Sequence, residues 1–401
     1  MTAPADSATS AAHRKSDERR AMGVACGAHA LHDGYTDLVY VMLPIWQSEF
    51  GLGFAALGLM KTVFSGALAS FQIPSGFLAE RFGAPIVLAL GTALAGLGYC
   101  LAGLSDGFML LVAALFVAGL GASTQHPLAS SLMAHAFAGP RSLRALGTYN
   151  FAGDIGKMTL PAAASLLFVL LPWREAVALL GGIGVLAAIV IFIAMPRFRD
   201  EAAAPHKAEG SGRKGAGRHY GFPLLLSVGV IDSATRMAFL TFLPFVLTAK
   251  GANLPTVGLA LTLVFAGGAA GKLICAWIGA RIGAVATVWL TETVTALGIV
   301  ALLPLSLEAA LVLLPLVGIA LNGTSSVLYG SVPDLVEPAR RQRAFGIFYT
   351  GTIGAGAVSP AIYGLLGDAV GVPTALIVVA AGVLLTLPIT LALRPTLANA
   401  S

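Results

Sequence analysis

Residues 43–84 align without a gap on residues 243–284, and ten of these 42 positions are identical. Leu43, Pro44, Gly51, Gly58, Leu59, Thr62, Ala69, Arg81, Gly83 and Ala84 face Leu243, Pro244, Gly251, Gly258, Leu259, Thr262, Ala269, Arg281, Gly283 and Ala284. Prolines, glycines and an arginine are prominent in this set, and those residues set helix kinks, close helix packing and loop ends. After a slip of one residue the match resumes, with Arg141, Arg144, Ala145, Gly147 and Pro161 opposite Arg340, Arg343, Ala344, Gly346 and Pro360. The chain therefore reads as one unit written twice.

The duplicated unit belongs in lipid. Of 401 residues, 57% are hydrophobic and 11% charged, with a mean hydropathy of +0.85; such a balance suits a bilayer rather than a water-soluble core. A spanning helix needs roughly 20 apolar residues, and the chain offers about twelve such stretches between short charged loops. They fall near 23–49, 55–79, 84–105, 108–136, 142–171, 174–195, 221–249, 254–280, 284–305, 308–335, 342–367 and 372–393. The expected fold class is all-α integral membrane, with twelve transmembrane helices in two pseudo-symmetric six-helix bundles. The bundles are expected at 22–195 and 221–395, joined by a cytoplasmic linker at 196–220 that is rich in Arg, Lys, Gly and Ala. Residues 1–21 and 396–401 read as tails; the first is polar, lacks an apolar run and so does not resemble a cleaved signal peptide, and it is expected to be disordered.

With both termini in the cytoplasm, the tails and the cytoplasmic loops hold 18 of the 24 Lys and Arg, so the positive-inside rule fixes the orientation. The same placement accounts for a pI of about 9.2. The basic residues sit at helix ends beside anionic headgroups, and nothing calls for nucleic acid. Cys26, Cys100 and Cys275 lie in apolar stretches without C-x-x-C spacing, which argues against a disulfide framework and a zinc site.

Ionisable residues inside the spans are costly and concentrate at functional sites. The third, sixth and twelfth spans have none and should face lipid. Asp33 and Asp37 fall on the first span, Lys61 on the second, His126 on the fourth, Asp154 and Lys157 on the fifth, Asp232 and Arg236 on the seventh, and Lys272 on the eighth. Glu292 on the ninth breaks the pattern and is expected to turn towards a neighbouring helix. His29, Asp33 and Asp37 recur every four residues and share one helix face, with His32 one step round. Two buried carboxyls a turn apart can exchange protons near neutral pH, or can be structurally paired, for example with Lys61 or Lys157. Asp33, Asp37 and Asp154 are the candidate proton-coupling residues. Asp154 with Lys157, and Asp232 with Arg236, are spaced so that each pair could neutralise itself within its own helix. His29, His126, Lys157, Asp232 and Arg236 are the candidate substrate contacts. Arg236 leads as an anion contact, because a guanidinium stays charged when buried and its fork suits carboxylate, phosphate or phosphonate. His126 precedes Pro127, which frees a backbone carbonyl and bends the helix.

The loop after the second span reads Gly76, Phe77, Leu78, Ala79, Glu80, Arg81, Phe82, Gly83. It resembles the G-x-L-A-D-R-x-G signature of the major facilitator superfamily, with Glu80 in place of the usual Asp. Gly76 would permit close helix contact, Gly83 the tight turn, Arg81 a cytoplasmic anchor, and Glu80 would face a helix N-terminus, together forming a gate latch. The second copy keeps Arg281 and Gly283 but has Ala280 in the acid position. His29 to Leu52 and His126 to Pro161 are similar to the fosmidomycin resistance protein group of bacterial exporters. The resemblance implies a proton-driven exporter of a small antibiotic-like or anionic compound, a multi-pass protein of the bacterial inner membrane.

The expected function is thus a proton-coupled secondary transporter exporting a small organic or phosphonate-like anion or drug by rocker-switch alternating access. Its partners are a small-molecule substrate, protons and the bilayer; it needs no cofactor, and a monomer suffices for the pathway. A second reading keeps the fold and makes the substrate a metal or metalloid ion held by His29, His32, Asp33 and His126, although clusters of Cys and Met are lacking. A third is a membrane sensor or scaffold that moves no solute. No G-x-x-x-x-G-K-[ST] loop points to ATP hydrolysis, and no H-E-x-x-H or G-x-S-x-G points to an intramembrane enzyme.

Overall fold

The computed structural model describes residues 5–137, 140–196, 220–337 and 340–398. Among these residues there is no strand. The helices in chain order are α1 (Ala5–Phe50), α2 (Phe54–Ser70), α3 (Gln72–Phe82), α4 (Ala84–Gly103), α5 (Phe108–Ala122), α6 (Gln125–Ala136), α7 (Pro140–Leu170) and α8 (Trp173–Ala194). They continue with α9 (Gly221–Ala249), α10 (Leu254–Ile282), α11 (Ala284–Leu302), α12 (Leu307–Ser331), α13 (Arg341–Val370), α14 (Val372–Val383) and α15 (Thr386–Ala398).

Ten helices are long and apolar enough to cross a membrane, or eleven when the bent pair α2 and α3 counts as one span. Adding α1, 46 residues long and broken in its apolar character by His29, His32, Asp33 and Asp37, makes twelve. Three expectations need correction. The second span is not one helix over 55–79, because α2 and α3 meet at Phe71 with a bend of 42°. The fourth breaks at Ser123–Thr124, before Pro127 rather than at it, and the Thr124 side chain presses on Gly91 of α4. Residues 5–21, expected as disordered, continue α1; Glu18 there is buried and pairs with Arg141 at 2.5 Å. Most of the expected linker, 197–219, lies outside the described residues.

The chain divides into two compact units, Met1–Leu38 with Ser70–Leu160 and Leu170–Lys207, and Val39–Ala69 with Pro161–Val169 and Ala208–Ser401. In the first unit α4 runs against α8 with glycine on glycine: a side chain on Gly96 would strike the Gly181 carbonyl, and one on Gly181 would strike the Gly96 carbonyl. Lipid offers no hydrophobic force between helices, so such small-residue seams supply the packing. The outward face of α8 carries Leu179, Ile183, Leu186, Val190 and Ile193, all exposed, as a charge-free lipid-facing helix should.

The second unit contains segments that the duplication assigns to the first half. Here Gly58 of α2 lies on the backbone of Pro360 and Ala361 in α13, and Gly258 of α10 lies on Ala162 and Ser165 in α7. Gly58 and Gly258 are repeat mates, and so are Pro360 and Pro161, so the same contact is built twice. Gly83 and Gly283, another matched pair, end helices at φ of +89° and +83°, where a side chain would be strained.

Candidate functional site

The polar face of α1 is buried as its spacing requires: His29, His32, Asp33 and Asp37 are all below one-tenth exposed. What lets them be buried is the helix opposite. A side chain on Gly156 of α7 would overlap the Ala30 carbonyl, and one on Gly153 would overlap Asp33 and His29. The two glycines, three apart, lay the α7 backbone directly on α1 and leave room for the charged groups between them. Sequence reading used Asp154 and Lys157 from this stretch and missed Tyr149, Gly153 and Gly156, although the Gly-x-x-Gly spacing was a usable signal.

Asp33 is the centre of the cluster. Its Oδ1 lies 3.4 Å from His29 Nε2, 3.7 Å from His32 Nε2 and 3.9 Å from His126 Nε2, and its Oδ2 lies 3.4 Å from Lys157 Nζ. Lys157 therefore reaches across from α7 to α1. The His29 ring stacks on Tyr149 at 4.0 Å, and His126 meets both His29 and His32 edge-on. His126 is the most open member, its side chain 34% exposed.

One tautomer follows from this geometry. His29 Nδ1 is 2.8 Å from the Tyr149 carbonyl, which can only accept, so Nδ1 carries a proton and donates. In the neutral ring Nε2 is then a bare lone pair aimed at a carboxylate oxygen. Two acceptors face each other, and neither His29 Nε2 nor His32 Nε2 has a hydrogen-bond partner. The arrangement is resolved by a proton on Nε2 or by a cation between the atoms. His29, Asp33 and His126 also bring ligand atoms within 4.8 Å of one another, close enough for a metal ion, but the Lys157 ammonium already sits on the same carboxylate.

Asp37, one turn beyond, is buried within electrostatic reach of Tyr99. The Tyr99 hydroxyl donates to the Tyr35 carbonyl, and the Tyr35 hydroxyl to that of Leu180, which ties α4 and α8 to α1. Asp154 is half-buried on α7. Lys61 of α2, 1% exposed, places its ammonium 4.2 Å from the centre of the Tyr40 ring.

A second polar group lies in the other unit. Asp232 of α9 is buried and in hydrogen-bonding contact with Glu292 of α11, with Arg236 acting on both. The expected self-contained Asp232–Arg236 pair is thus shared with Glu292, which turns inward as expected. Thr291 and Thr324 are hydrogen-bonded at 2.7 Å beside them. Arg236 is half-buried, and its Nε has no partner among the described residues. Lys272 of α10 is half-buried.

The loop motif shapes a cleft of about 700 Å³ lined by Gly76, Glu80, Arg81 and Gly83 together with Ser131 and His135 of α6. Gly76 does not make the expected close helix contact: the bend at Phe71 turns α3 aside, and a side chain on Gly76 would meet nothing within 4 Å. Glu80 and Arg81 are exposed. In the second copy Arg281 stacks on Trp277 at 3.8 Å, so the ring occupies the guanidinium where no acid is present.

The profile of the Major Facilitator Superfamily matches residues 25–226 and again 224–400, the two halves of the duplication. The fosmidomycin resistance protein of Escherichia coli is 24% identical over 361 residues, covering 86% of each chain. A protein of Cupriavidus necator described as a probable sulfoacetate transporter, SauU, is 27% identical over 382 residues, covering 87% of each. Among solved structures, a bacterial homologue of the human lysosomal transporter Spinster, inward-facing and occupied, superimposes with a TM-score of 0.78 at 14% identity over 94% of this chain and 96% of that one. The nucleoside transporter NupG gives 0.77 at 14% identity over 94% and 99%. At such identities the two structures speak for the fold alone.

Proposed function

This chain belongs to the Major Facilitator Superfamily, and from that premise we propose that it is a proton-coupled exporter of a small organic anion, working by alternating access in the bacterial inner membrane. The observation that carries the reading is the pair of facing acceptors, His29 Nε2 and Asp33 Oδ1, 3.4 Å apart in a buried pocket. A proton taken up there is held between imidazole and carboxylate; its loss leaves Asp33 to Lys157. Asp37 and Asp154 are the further carboxyls on the route. Burial makes such a site an exchange point, because a buried charge without a partner costs several kcal/mol.

The anion is proposed to bind Arg236 and Lys157, with His29, His126 and Asp232 completing the contacts. Two relatives carry names that mention fosmidomycin and sulfoacetate, and the latter is a small anion of the kind a guanidinium fork grips. The Gly76–Gly83 loop, with Glu80 and Arg81, is the proposed latch at the cytoplasmic side.

Purified protein in proteoliposomes under an imposed pH gradient, with fosmidomycin and sulfoacetate as probes, tests the reading. Gradient-dependent movement of a probe, lost in Asp33→Asn, is the expected result. Movement that ignores the gradient, or survives the substitution, refutes the coupling; no movement of either probe or of other organic anions returns the chain to a sensor or scaffold role.

The closeness of His29, Asp33 and His126 supports a second reading, a metal ion as substrate. Lys157 stands against it, since a dication and an ammonium would share one carboxylate. Stoichiometric zinc or nickel binding that vanishes in His29→Ala would reverse this preference.

A further inference from the structure

Glu292 has no place in the reading above, and its surroundings give it one. It lies on α11 with a side chain 1% exposed, in contact with Asp232, which is 4% exposed, and its Oε1 has no hydrogen-bond partner. Two carboxyl groups in hydrogen-bonding contact need a proton between them, because two buried carboxylates cannot sit together ionised without an additional cation. The charge count agrees. Arg236 on α9 is the charged group acting on the pair, and the remaining neighbours are neutral: Thr291 and Thr295 on α11, and Thr324 and Tyr329 on α12. Two carboxylates and one guanidinium sum to zero only when one proton is added.

We infer that Asp232 and Glu292 share a single proton and form a second proton-binding site of the transporter, separate from the Asp33 cluster. The inference deepens the proton-coupled reading and rests on it for its meaning in transport, but the site is detectable without any substrate. Loss of the proton leaves two carboxylates for one guanidinium. Removal of either carboxyl leaves one carboxylate for one guanidinium, which is neutral with no proton at all.

Infrared spectroscopy of the full chain in liposomes, titrated with acid and base in the absence of substrate, reads the carbonyl stretch of a protonated carboxylic acid directly. At neutral pH one such band is expected; it shifts in heavy water, persists in Asp33→Asn, and is lost in both Glu292→Gln and Asp232→Asn. A wild-type spectrum without the band, or a band unchanged in both Glu292→Gln and Asp232→Asn, overturns the inference. The two readings fail separately. If gradient-driven transport depends on Asp33 and the band is missing, the transport reading stands and this one falls. If the band behaves as expected while no gradient drives transport, the site stands as a shared-proton pair and the coupling falls.

Discussion

Lys157 Nζ of α7 lies 3.4 Å from Asp33 Oδ2 of α1, so the cation of the fifth span neutralises a carboxylate of the first rather than serving its own helix alone. Replacing Lys157 with Gln should lower the melting temperature of the purified protein, and adding Asp33→Asn should recover most of the loss without recovering coupled transport. The effect should fall short of the about 3–5 kcal/mol typical of breaking a buried pair, because a third of the Lys157 side chain is open to solvent. Additive losses in the double variant, measured by thermal denaturation, would show that the two residues are not partners.

His29 serves packing through its ring and chemistry through its nitrogens. In His29→Phe the stack on Tyr149 is kept while the bond to the Tyr149 carbonyl and the lone pair facing Asp33 are lost. The stability change should be about 1 kcal/mol, the size of one hydrogen bond, whereas gradient-driven flux should vanish. Flux assays that find His29→Phe active would assign the histidine to packing.

Gly58 and Gly258 should tolerate nothing larger. A Cβ at Gly58 would stand 2.0 Å from the Pro360 carbonyl oxygen, and one at Gly258 would stand 2.1 Å from Ser165 Oγ. Either Ala variant should lose about 1–3 kcal/mol through overpacking, with Gly58→Ala the worse because backbone cannot step aside. Gly66 of α2 has open space around it, and Gly66→Ala should gain about 0.5–1 kcal/mol from helix propensity. Melting curves of the three variants check the order.

Asp368 of α13 caps a helix that is not its own. Its two carboxylate oxygens accept from the Phe54 and Ala55 amides at 2.7 and 2.9 Å, where α2 begins after Gly53 and has no side-chain cap from its own sequence. Asp368→Ala should cost about 0.5–2 kcal/mol, the range of a lost N-cap, and Asp368→Asn less, since one acceptor oxygen remains. Amide hydrogen exchange should rise first at Phe54 and Ala55; unchanged protection there would contradict the assignment.

The polar face of α1 was legible because His29, Asp33 and Asp37 repeat every four residues, and helical geometry turns that spacing into one stripe. The duplication was legible in Gly58, Gly83, Gly258 and Gly283 because backbone requirements of this kind allow few substitutes. The bend at Phe71 was not, since no proline or glycine marks the joint itself. Nor was the partner of Glu292, which comes from a helix 60 residues earlier in the chain. Gly76 was misjudged because a motif says that a glycine is small, and only the path of α3 says what lies beside it.

Sequence by itself determined a duplicated, membrane-embedded helical chain with a known orientation of its charges and a list of ionisable residues that lipid would not tolerate. These are properties of spacing and solvation, which act along the chain. Tertiary structure alone decided which of those residues meet: Asp33 with three histidines and Lys157, and Asp232 with Glu292 and Arg236. Those encounters depend on how closely glycine lets one helix approach another, on Gly153 and Gly156 against α1 above all. A distance of a few ångströms between helices separates a neutralised charge from an exchangeable proton, and that distance is not written in either helix.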